Sequence, residues 1–346
     1  MINAVNLSIT NLCTSDCIYC PKDRGDCCGV PTMSIETFDA LMANLVQASD
    51  GLGDPIKTFR LGENGDLFIN KNAIYFFRTI RSKFPKATIE LYNHFRILTP
   101  SITDILLDEK LIDAVFMNID GLGHSFETTK KTSFPITMDN FLYFINKRNS
   151  LNLNIPISIR TLTLTQYTDV VYSLYGVLPA QVTPPVPKET DGFQSVRNAC
   201  RHFLRKGDSL KRSWPILWAE REMLKNVHIN ENNYSCPMLA RIKSEIFVSP
   251  EGKCYLCCLD SRQELLIGDL TTTRLHNILA SSQRLLYIKD LGNRRFSKTG
   301  GPCRTVHCCQ IHHKNRLVNA AIRFLTRYLF ITNNIFRFFH DENHAR

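Results

Sequence analysis

The chain has 346 residues, of which 44% are hydrophobic and 21% charged, with a formal net charge of +10 at pH 7. This composition is typical of a folded globular protein, and no run approaches the roughly 20 apolar residues that span a bilayer. An excess of positive charge is compatible with binding to nucleic acid, acidic lipid or an anionic substrate. However, the sequence has no Lys/Arg block with interleaved aromatic residues of the kind found in nucleic-acid-binding modules. We therefore expect a solvated basic surface and no nucleic-acid partner.

The thirteen cysteines are grouped along the chain, at 13/17/20, 27/28, 254/257/258 and 303/308/309 among other positions. A secreted disulfide framework would scatter them, whereas clustered thiols indicate metal binding in a reducing compartment. The first residues run directly into a strand-like segment and do not resemble a secretion signal. We expect a cytoplasmic protein.

A strand-like run, Val5 to Thr10, is followed at once by Cys13, Cys17 and Cys20, at Cys-x3-Cys-x2-Cys spacing. Thiolates bind iron–sulfur clusters, and a four-iron cluster held by protein alone takes four of them. A loop that supplies three leaves one iron open to a small chelating molecule. Zinc sites usually have two separated pairs of ligands, so zinc, or three buried thiols, is the less favoured alternative.

This triplet, with Tyr19 as the aromatic residue before its last cysteine, resembles the motif of radical S-adenosylmethionine (SAM) enzymes. The resemblance implies a [4Fe-4S] cluster whose fourth iron is chelated by SAM, with Tyr19 at the cofactor. In those enzymes an electron from the cluster cleaves SAM and gives a 5′-deoxyadenosyl radical, which abstracts hydrogen from the substrate. The resemblance also implies an electron donor such as flavodoxin or ferredoxin.

Strand-like and helical patterns alternate from Val5 to about Val182. The predicted strands are 5–10, 58–61, 87–92, 114–120 and 155–163, and the predicted helices are 34–48, 70–83, 102–109 and 138–149. Ser34 and Asn70 are the expected helix caps. Single helices between apolar strands indicate parallel βαβ units, and without a dinucleotide glycine fingerprint they predict an α/β fold, a partial (β/α)6 TIM-type barrel. Its chemistry should lie at the carboxyl ends of the strands.

Residues after the predicted strands resemble later landmarks of the same family, and the resemblance implies that they bind SAM. They are Glu63, Gly65 and Asp66 after the second strand, Asn93 after the third, Asn118 in the fourth and Arg160 in the fifth. Asp66 replaces the glutamate of the family's Gly-Glu-Pro motif, so Asp66, Glu63 or backbone carbonyls are alternative contacts for the SAM amino group. Asn118 suits the ribose or carboxylate, and Arg160 either pairs with the carboxylate or faces outward.

A proline-rich linker and a basic, helical-looking segment occupy residues 183–235. The following segment reads as a hairpin with a Pro-Glu-Gly turn. The spacing of Cys236, Gly252 and Cys257 is that found at the start of SPASM and twitch domains. This small cysteine-rich unit therefore resembles those auxiliary-cluster domains. The resemblance implies a second [4Fe-4S] cluster, bound by Cys236, Cys257, Cys303 and either Cys308 or Cys309, and used for electron transfer. Zinc bound by the same four thiols is the alternative.

Two further features have competing interpretations. Cys27 and Cys28 lie just beyond the first cysteine loop, and one of them is a candidate catalytic hydrogen-atom donor, as in peptide epimerases of this superfamily; uninvolved loop thiols are the alternative. The last segment has apolar residues at helical spacing with arginines elsewhere on the helix. Such a helix can contact a membrane peripherally or pack on the barrel.

The sequence thus predicts a barrel at 1–182, a linker and helical segment at 183–235, an auxiliary-cluster domain at 236–312 and a C-terminal helix at 313–346. The favoured function is a radical SAM oxidoreductase that oxidises or rearranges a small polyol or sugar. A peptide maturase, either an epimerase or a cross-linking enzyme, is the alternative within the class. A zinc-stabilised, non-catalytic binding protein is the alternative of another class.

Overall fold

The computed structural model describes residues 2–17, 20, 30–51, 56–162, 192–213, 235–260, 262–301 and 303. The strands are β1 (Ala4–Leu7), β2 (Thr58–Leu61), β3 (Thr88–Tyr92), β4 (Ala114–Asn118), β5 (Ile157–Leu162), β6 (Ser209–Ser213), β7 (Glu245–Val248), β8 (Lys253–Tyr255) and β9 (Leu266–Asp269). The helices are α1 (Ile35–Gly51), α2 (Ala73–Lys83), α3 (Pro100–Asp108), α4 (Gly123–Lys130), α5 (Phe134–Ser150), α6 (Gly192–Cys200), α7 (Leu239–Ser244), α8 (Leu275–Leu279), α9 (Ser282–Gly292) and α10 (Phe296–Thr299).

The strands form one nine-stranded sheet in the order β6-β5-β4-β3-β2-β1-β7-β8-β9. The first six are parallel neighbours in sequence order, which confirms the predicted (β/α)6 partial barrel. β7 pairs in parallel with β1 and then turns into an antiparallel hairpin with β8, as predicted for the Pro-Glu-Gly turn. The cysteine-rich unit therefore continues the sheet of the barrel.

Alternation along the parallel strands separates an apolar face from a polar one. Phe59, Leu61, Ile89 and Leu91 are fully buried and share one hydrophobic cluster with residues of α1 and α2. The intervening side chains are polar and half-buried; they include Arg60 and Glu90. Because successive side chains point to opposite faces, the helices cover the apolar face and the polar face lines the inside of the curved sheet.

Three features differ from the sequence-based expectation. The segment expected to be helical after residue 194 continues only to Cys200, and Ser209–Ser213 forms the sixth strand, which pairs with β5. Helix α4 was not predicted, because its sequence is mostly polar and carries little apolar periodicity. Asn70 does not cap α2, which begins at Ala73 after Asn72, whereas Ser34 does accept the backbone N–H of Thr37.

No helix within the described residues is long and apolar enough to cross a membrane. The segment 313–346 and most of 183–235 lie outside the described residues, so the predicted C-terminal helix and linker remain predictions.

Candidate cluster and cofactor site

The cysteine loop lies at the carboxyl end of β1, as the fold requires for a site of this kind. Side-chain hydrogen bonds fix its two ends. Asn70, which is buried, donates to the carbonyls of Ile9 and Met33 at 3.0 and 2.9 Å. The hydroxyl of Thr10 donates to the Pro31 carbonyl at 3.0 Å. The loop thus starts and ends on backbone held by the first βα unit.

Within the loop, the three thiols are close enough to influence one another. Burial raises the pKa of the Cys17 thiol; the Lys130 charge lowers it, and negative charge on Asp120, Cys20 and Cys13 raises it further. The backbone N–H of Cys20 donates to the Cys17 carbonyl at 2.9 Å, which closes a turn between these two residues. The donor set is therefore three neighbouring thiols on one short loop.

Among the described residues, no group of three or more Cys, His, Asp or Glu side chains is arranged to hold a single metal ion. The three thiols of a four-iron cluster bind three different irons, so their sulfur atoms lie farther apart than the donors of one ion. The donor chemistry and loop position fit a [4Fe-4S] cluster, for which Cys13, Cys17 and Cys20 remain the predicted ligands.

The turn after β2 lies directly against the cysteine loop. Gly65 has a φ of +77°, and a Cβ atom built on it would lie 2.6 Å from the Leu12 carbonyl oxygen and 2.7 Å from that of Thr10. The next residue, Asp66, donates its backbone N–H to the Leu12 carbonyl at 2.8 Å. Only glycine permits this approach, so the predicted role of Gly65 at the cofactor site has a physical basis.

Asp66 and Asn93 meet at the same place. The buried Asp66 carboxylate accepts hydrogen bonds from Thr14 Oγ1 at 2.8 Å and from Asn93 Nδ2 at 3.3 Å. It thereby ties the ends of β2 and β3 to the cysteine loop. The SAM-binding roles of Asp66 and Asn93 remain predictions; their contacts show directly that they support the loop.

The site also contains His94, which the sequence offers as a candidate pocket residue, with a purely structural histidine as the alternative. Its Nε2 atom is 3.7 Å from Cys13 Sγ, 3.3 Å from Ser15 Oγ and 3.4 Å from Asp66 Oδ2. Burial lowers the pKa of His94, although the Asp66 charge opposes this effect. The available signal in the sequence was the position of His94, directly after Asn93 and two residues past the end of the predicted third strand.

An unassigned group at the site is Lys130, at the end of α4. Its Nζ atom lies 2.7 Å from Asp120 Oδ2, and both side chains are almost fully buried. Burial alone would lower the pKa of Lys130, but Asp120 and the Cys17 thiolate raise it above its usual range. Its carbonyl accepts the backbone N–H of Asp16 at 3.0 Å, so this ion pair lies directly behind the cysteine loop.

Glu63 faces the C-terminal unit. Its carboxylate accepts a short hydrogen bond from Asn6 Nδ2 and binds Arg241 Nη2 at 3.1 Å. Arg241 also binds Glu245 at 2.8 Å, and Arg60 joins Glu245 to Glu90. Burial alone would lower the pKa of Arg241, but the hydrogen bonds and charges of its carboxylate partners raise it. Glu63 thus belongs to a charged network that links the barrel to the C-terminal unit, and its SAM-binding role remains a prediction.

Asn118 and Arg160 are register partners on β4 and β5. The Arg160 guanidinium lies over the ring of Phe116, 5.2 Å from its centroid, and Phe116 stacks on Tyr92 at 4.5 Å. These rings and the guanidinium belong to the polar inner face, so Arg160 is not on the outer face that packs against helices. Its pairing with SAM remains a prediction, as does the role of Asn118.

Three of the predicted auxiliary ligands are described. Cys257 and Cys303 are buried, and Cys236 is half-buried. Cys257 Sγ accepts the backbone N–H of Leu259 at 3.4 Å, a contact that suits a thiolate ligand. Gly252 makes the hairpin turn at a φ of +83°. Tyr19, Cys27, Cys28, Cys308 and Cys309 lie outside the described residues.

The chain combines a partial (β/α)6 barrel with a cysteine loop after β1, and this fold resembles that of the radical SAM enzymes. Residues 236–310 match the SPASM family, an iron-sulfur cluster-binding domain, which confirms the prediction of an iron–sulfur unit in this part of the chain. Among curated proteins, none matches this chain.

Solved structures agree on the fold. The chain is similar to anSMEcpe with bound AdoMet, with a TM-score of 0.56 and 12% identity over 97% of this chain and 100% of that one. It is similar to BtrN in complex with AdoMet and 2-DOIA, with a TM-score of 0.50 and 13% identity over 91% and 94%. It is also similar to Streptococcus suis SuiB bound to the precursor peptide SuiA, with a TM-score of 0.51 and 10% identity over 81% and 65%. The predicted family resemblance and fold class are confirmed.

Proposed function

We propose that this protein is a radical SAM enzyme with an auxiliary iron–sulfur cluster. Cys13, Cys17 and Cys20 hold the cluster that reduces SAM. The contact of Gly65 with the cysteine loop carries this proposal, because it places the turn after β2 beside the three thiols. A turn so close to an open iron can present its backbone and side chains to a chelating ligand.

A cluster held by Cys13, Cys17 and Cys20 would supply the one electron that cleaves SAM, and SAM would supply the group that takes a hydrogen atom from a substrate C–H bond and leaves as 5′-deoxyadenosine. The residues of the chain position the ligands and exclude water. Asp66 holds Thr14 and Asn93 in place, and Arg160 presents its guanidinium beside Phe116. A planar fork of this kind suits the methionine carboxylate.

The C-terminal thiols provide an electron acceptor for an oxidation. An alcohol substrate that has lost one hydrogen atom gives up a proton and one further electron to become a carbonyl compound. Cys236, Cys257, Cys303 and either Cys308 or Cys309 hold the auxiliary cluster that takes this electron. Four thiolate ligands leave no iron open to substrate, which suits electron transfer.

Within this class we propose a small polyol or sugar as the substrate. Arg60 and Glu90 on the inner face of the sheet are joined in one charged network with Glu245 of β7, Arg241 of α7 and Glu63 of the turn after β2. Carboxylates accept and guanidinium groups donate, so this face matches hydroxyl groups, which do both. A peptide substrate remains the alternative, and a flavodoxin or ferredoxin is the proposed electron donor.

The test is to purify the full chain without oxygen and rebuild its clusters. We expect about eight iron atoms per chain, four for each cluster. With SAM and dithionite, the protein should form 5′-deoxyadenosine. The triple variant C13A/C17A/C20A should keep about half of the iron and form none. A colourless protein with stoichiometric zinc, or an iron-loaded protein that leaves SAM intact, would contradict the proposal.

Substrate class requires a separate measurement. Deuterated polyols and sugars, and a set of deuterated peptides, are incubated with the loaded enzyme and SAM. Deuterium should appear in 5′-deoxyadenosine with a member of the polyol or sugar set, and an oxidised product should form with it. Transfer only from peptides would favour the maturase alternative while leaving the radical SAM assignment intact.

A further inference from the structure

The buried ring of His94 has a fixed donor direction. Its Nδ1 atom is 3.3 Å from the backbone nitrogen of Arg96, whose N–H donates to it. In a neutral imidazole one nitrogen accepts and the other carries the hydrogen, so the N–H of His94 is on Nε2. That atom faces the cysteine loop.

Three acceptors surround this N–H: the sulfur of Cys13 at 3.7 Å, the hydroxyl of Ser15 at 3.3 Å and the carboxylate of Asp66 at 3.4 Å. Asp66 already accepts from Thr14 and Asn93. The backbone N–H of Ser15 also approaches Cys13 Sγ, at 3.5 Å. Cys13 thus has one side-chain N–H, that of His94, and one backbone N–H, that of Ser15, near its sulfur.

A hydrogen bond to a ligand sulfur changes the energetics of the cluster behind it. Reduction adds one negative charge, which is spread over the iron and sulfur atoms, and an N–H dipole directed at sulfur stabilises the more negative state. The effect is larger where water is excluded. Asp66 is fully buried and only 15% of the His94 side chain is exposed, so the surroundings are of this kind.

We propose that His94 is a positioning residue that donates an N–H···S hydrogen bond to Cys13 and makes the SAM-binding cluster easier to reduce. This inference rests on the proposed function, since it needs a cluster at Cys13.

The test is an EPR-monitored redox titration of the full, iron-loaded chain, with dithionite as the one-electron reductant. The signal that SAM perturbs belongs to the N-terminal cluster, and the unperturbed signal of the auxiliary cluster is the internal reference. Three variants are compared: H94L, which removes the donor; H94Q, which keeps an N–H; and H124L, which removes an exposed histidine that contacts Thr128.

At the potential where half of the wild-type N-terminal cluster is reduced, H94L should lower the ratio of reduced to oxidised cluster about tenfold. This change corresponds to a reduction potential that is more negative by ~59 mV for one electron. H94Q should restore the ratio to within about threefold, and H124L should leave it unchanged. The auxiliary signal should not move in any variant. An H94L protein with full iron and a wild-type ratio would overturn the proposal.

If H94L fails to hold the N-terminal cluster, the wild-type protein provides the second measurement. Pulsed EPR of the reduced cluster with ¹⁵N-labelled histidine should detect one weakly coupled imidazole nitrogen, as expected for a hydrogen bond to a ligand. Strong coupling, which means direct binding to iron, or no coupling at all would overturn the proposal. A protein with no signal that responds to SAM would instead contradict the proposed function.

Discussion

Gly65 lies in the turn after β2, directly against the cysteine loop, and its substitution separates two effects. An added methyl group at this position meets two carbonyl oxygens at 2.6 and 2.7 Å, in addition to the strain of a positive φ. Gly123 also has a positive φ, of +51°, but a methyl group added there would meet no atom within 4 Å. The pair therefore distinguishes backbone strain from contact with the loop.

We expect G65A to lower the free energy of unfolding by about 2–3 kcal/mol and to reduce the iron bound at the N-terminal cluster. G123A should cost about 1 kcal/mol and keep its iron. Urea unfolding and iron analysis of the purified proteins measure both effects. Equal losses in the two variants would mean that the approach of the turn to the loop does not matter for holding the cluster.

The residues of the site were predictable to different degrees. The cysteine triplet and Gly65 followed from spacing and from the rule that the carboxyl ends of parallel strands share one edge. His94 was predictable only as a candidate pocket residue and Lys130 not at all, because each is a single polar residue whose burial depends on how two strand ends and one helix pack. Lys130 belongs to α4, which itself was missed. A charged residue in a polar stretch gives no sign that it will be enclosed.

At the scale of elements, β6 depends on one buried ion pair. Arg148 of α5 binds Asp208, just before β6, at 2.8 and 3.0 Å, and both side chains are inaccessible. Asp208 also accepts the backbone N–H groups of Ile157 and Arg205. Burial alone would raise the pKa of Asp208. The hydrogen bonds from Arg148, Arg205 and Ile157 outweigh this effect, so the pKa is below its usual value. The start of β6 is thereby fixed to β5 and α5.

R148M should lower the free energy of unfolding by about 3–5 kcal/mol, because it leaves a buried carboxylate without its counter-charge. The control is R78M, which breaks an exposed pair with Glu109 and should cost no more than about 1 kcal/mol. Both are measured by urea unfolding at neutral pH. A small loss in R148M would show that Asp208 is satisfied by its backbone partners alone.

The same ion pair explains why β6 was not predicted from sequence. The strand is short and polar, Ser-Leu-Lys-Arg-Ser, and lies in a basic stretch that reads as helical. Its conformation is determined by pairing with β5 along five residues and by Asp208. A strand with one apolar residue in five leaves little local signal, whereas each of the first five strands has at least two apolar residues on its buried face.

Asn44 joins α1 to the segment between β9 and α8. Its Nδ2 group donates to the carbonyls of Leu270 and Thr273 at 2.8 and 2.7 Å, and its Oδ1 accepts the N–H of Leu275 at 3.0 Å. N44A should cost about 2–3 kcal/mol, since it leaves backbone groups without partners in a half-buried contact. N277A, at an exposed position of α8, should change stability by no more than about 0.5 kcal/mol in the same denaturant series. Equal losses would mean that the α1 contact contributes nothing specific.

At the scale of the whole molecule, the barrel and the C-terminal unit form one continuous sheet through β1 and β7. Arg241 adds an electrostatic connection between the two proposed cofactor sites. It binds Glu63, in the turn that contains Gly65 and Asp66, and its Nη1 atom is 3.8 Å from Cys258 Sγ, next to Cys257, a proposed ligand of the auxiliary cluster. A change at one site can therefore reach the other through a single side chain.

R241M tests this connection. Loss of the guanidinium leaves the Glu63 carboxylate, which is only 13% exposed, without its cationic partner. We expect stability to fall by about 3 kcal/mol and the Kd for SAM to rise about three- to tenfold, because the turn after β2 loses a fixed contact. R241K keeps the charge but not the two-pronged geometry, so it should recover part of the stability and little of the SAM affinity. R274M, which removes an exposed arginine from the same unit, should match the wild type in both stability and SAM affinity.

SAM binding to the iron-loaded protein is measured by anaerobic calorimetry, and stability is measured by unfolding in denaturant. Unchanged SAM affinity in a destabilised R241M protein would mean that the network holds the two units together without any influence on the cofactor turn.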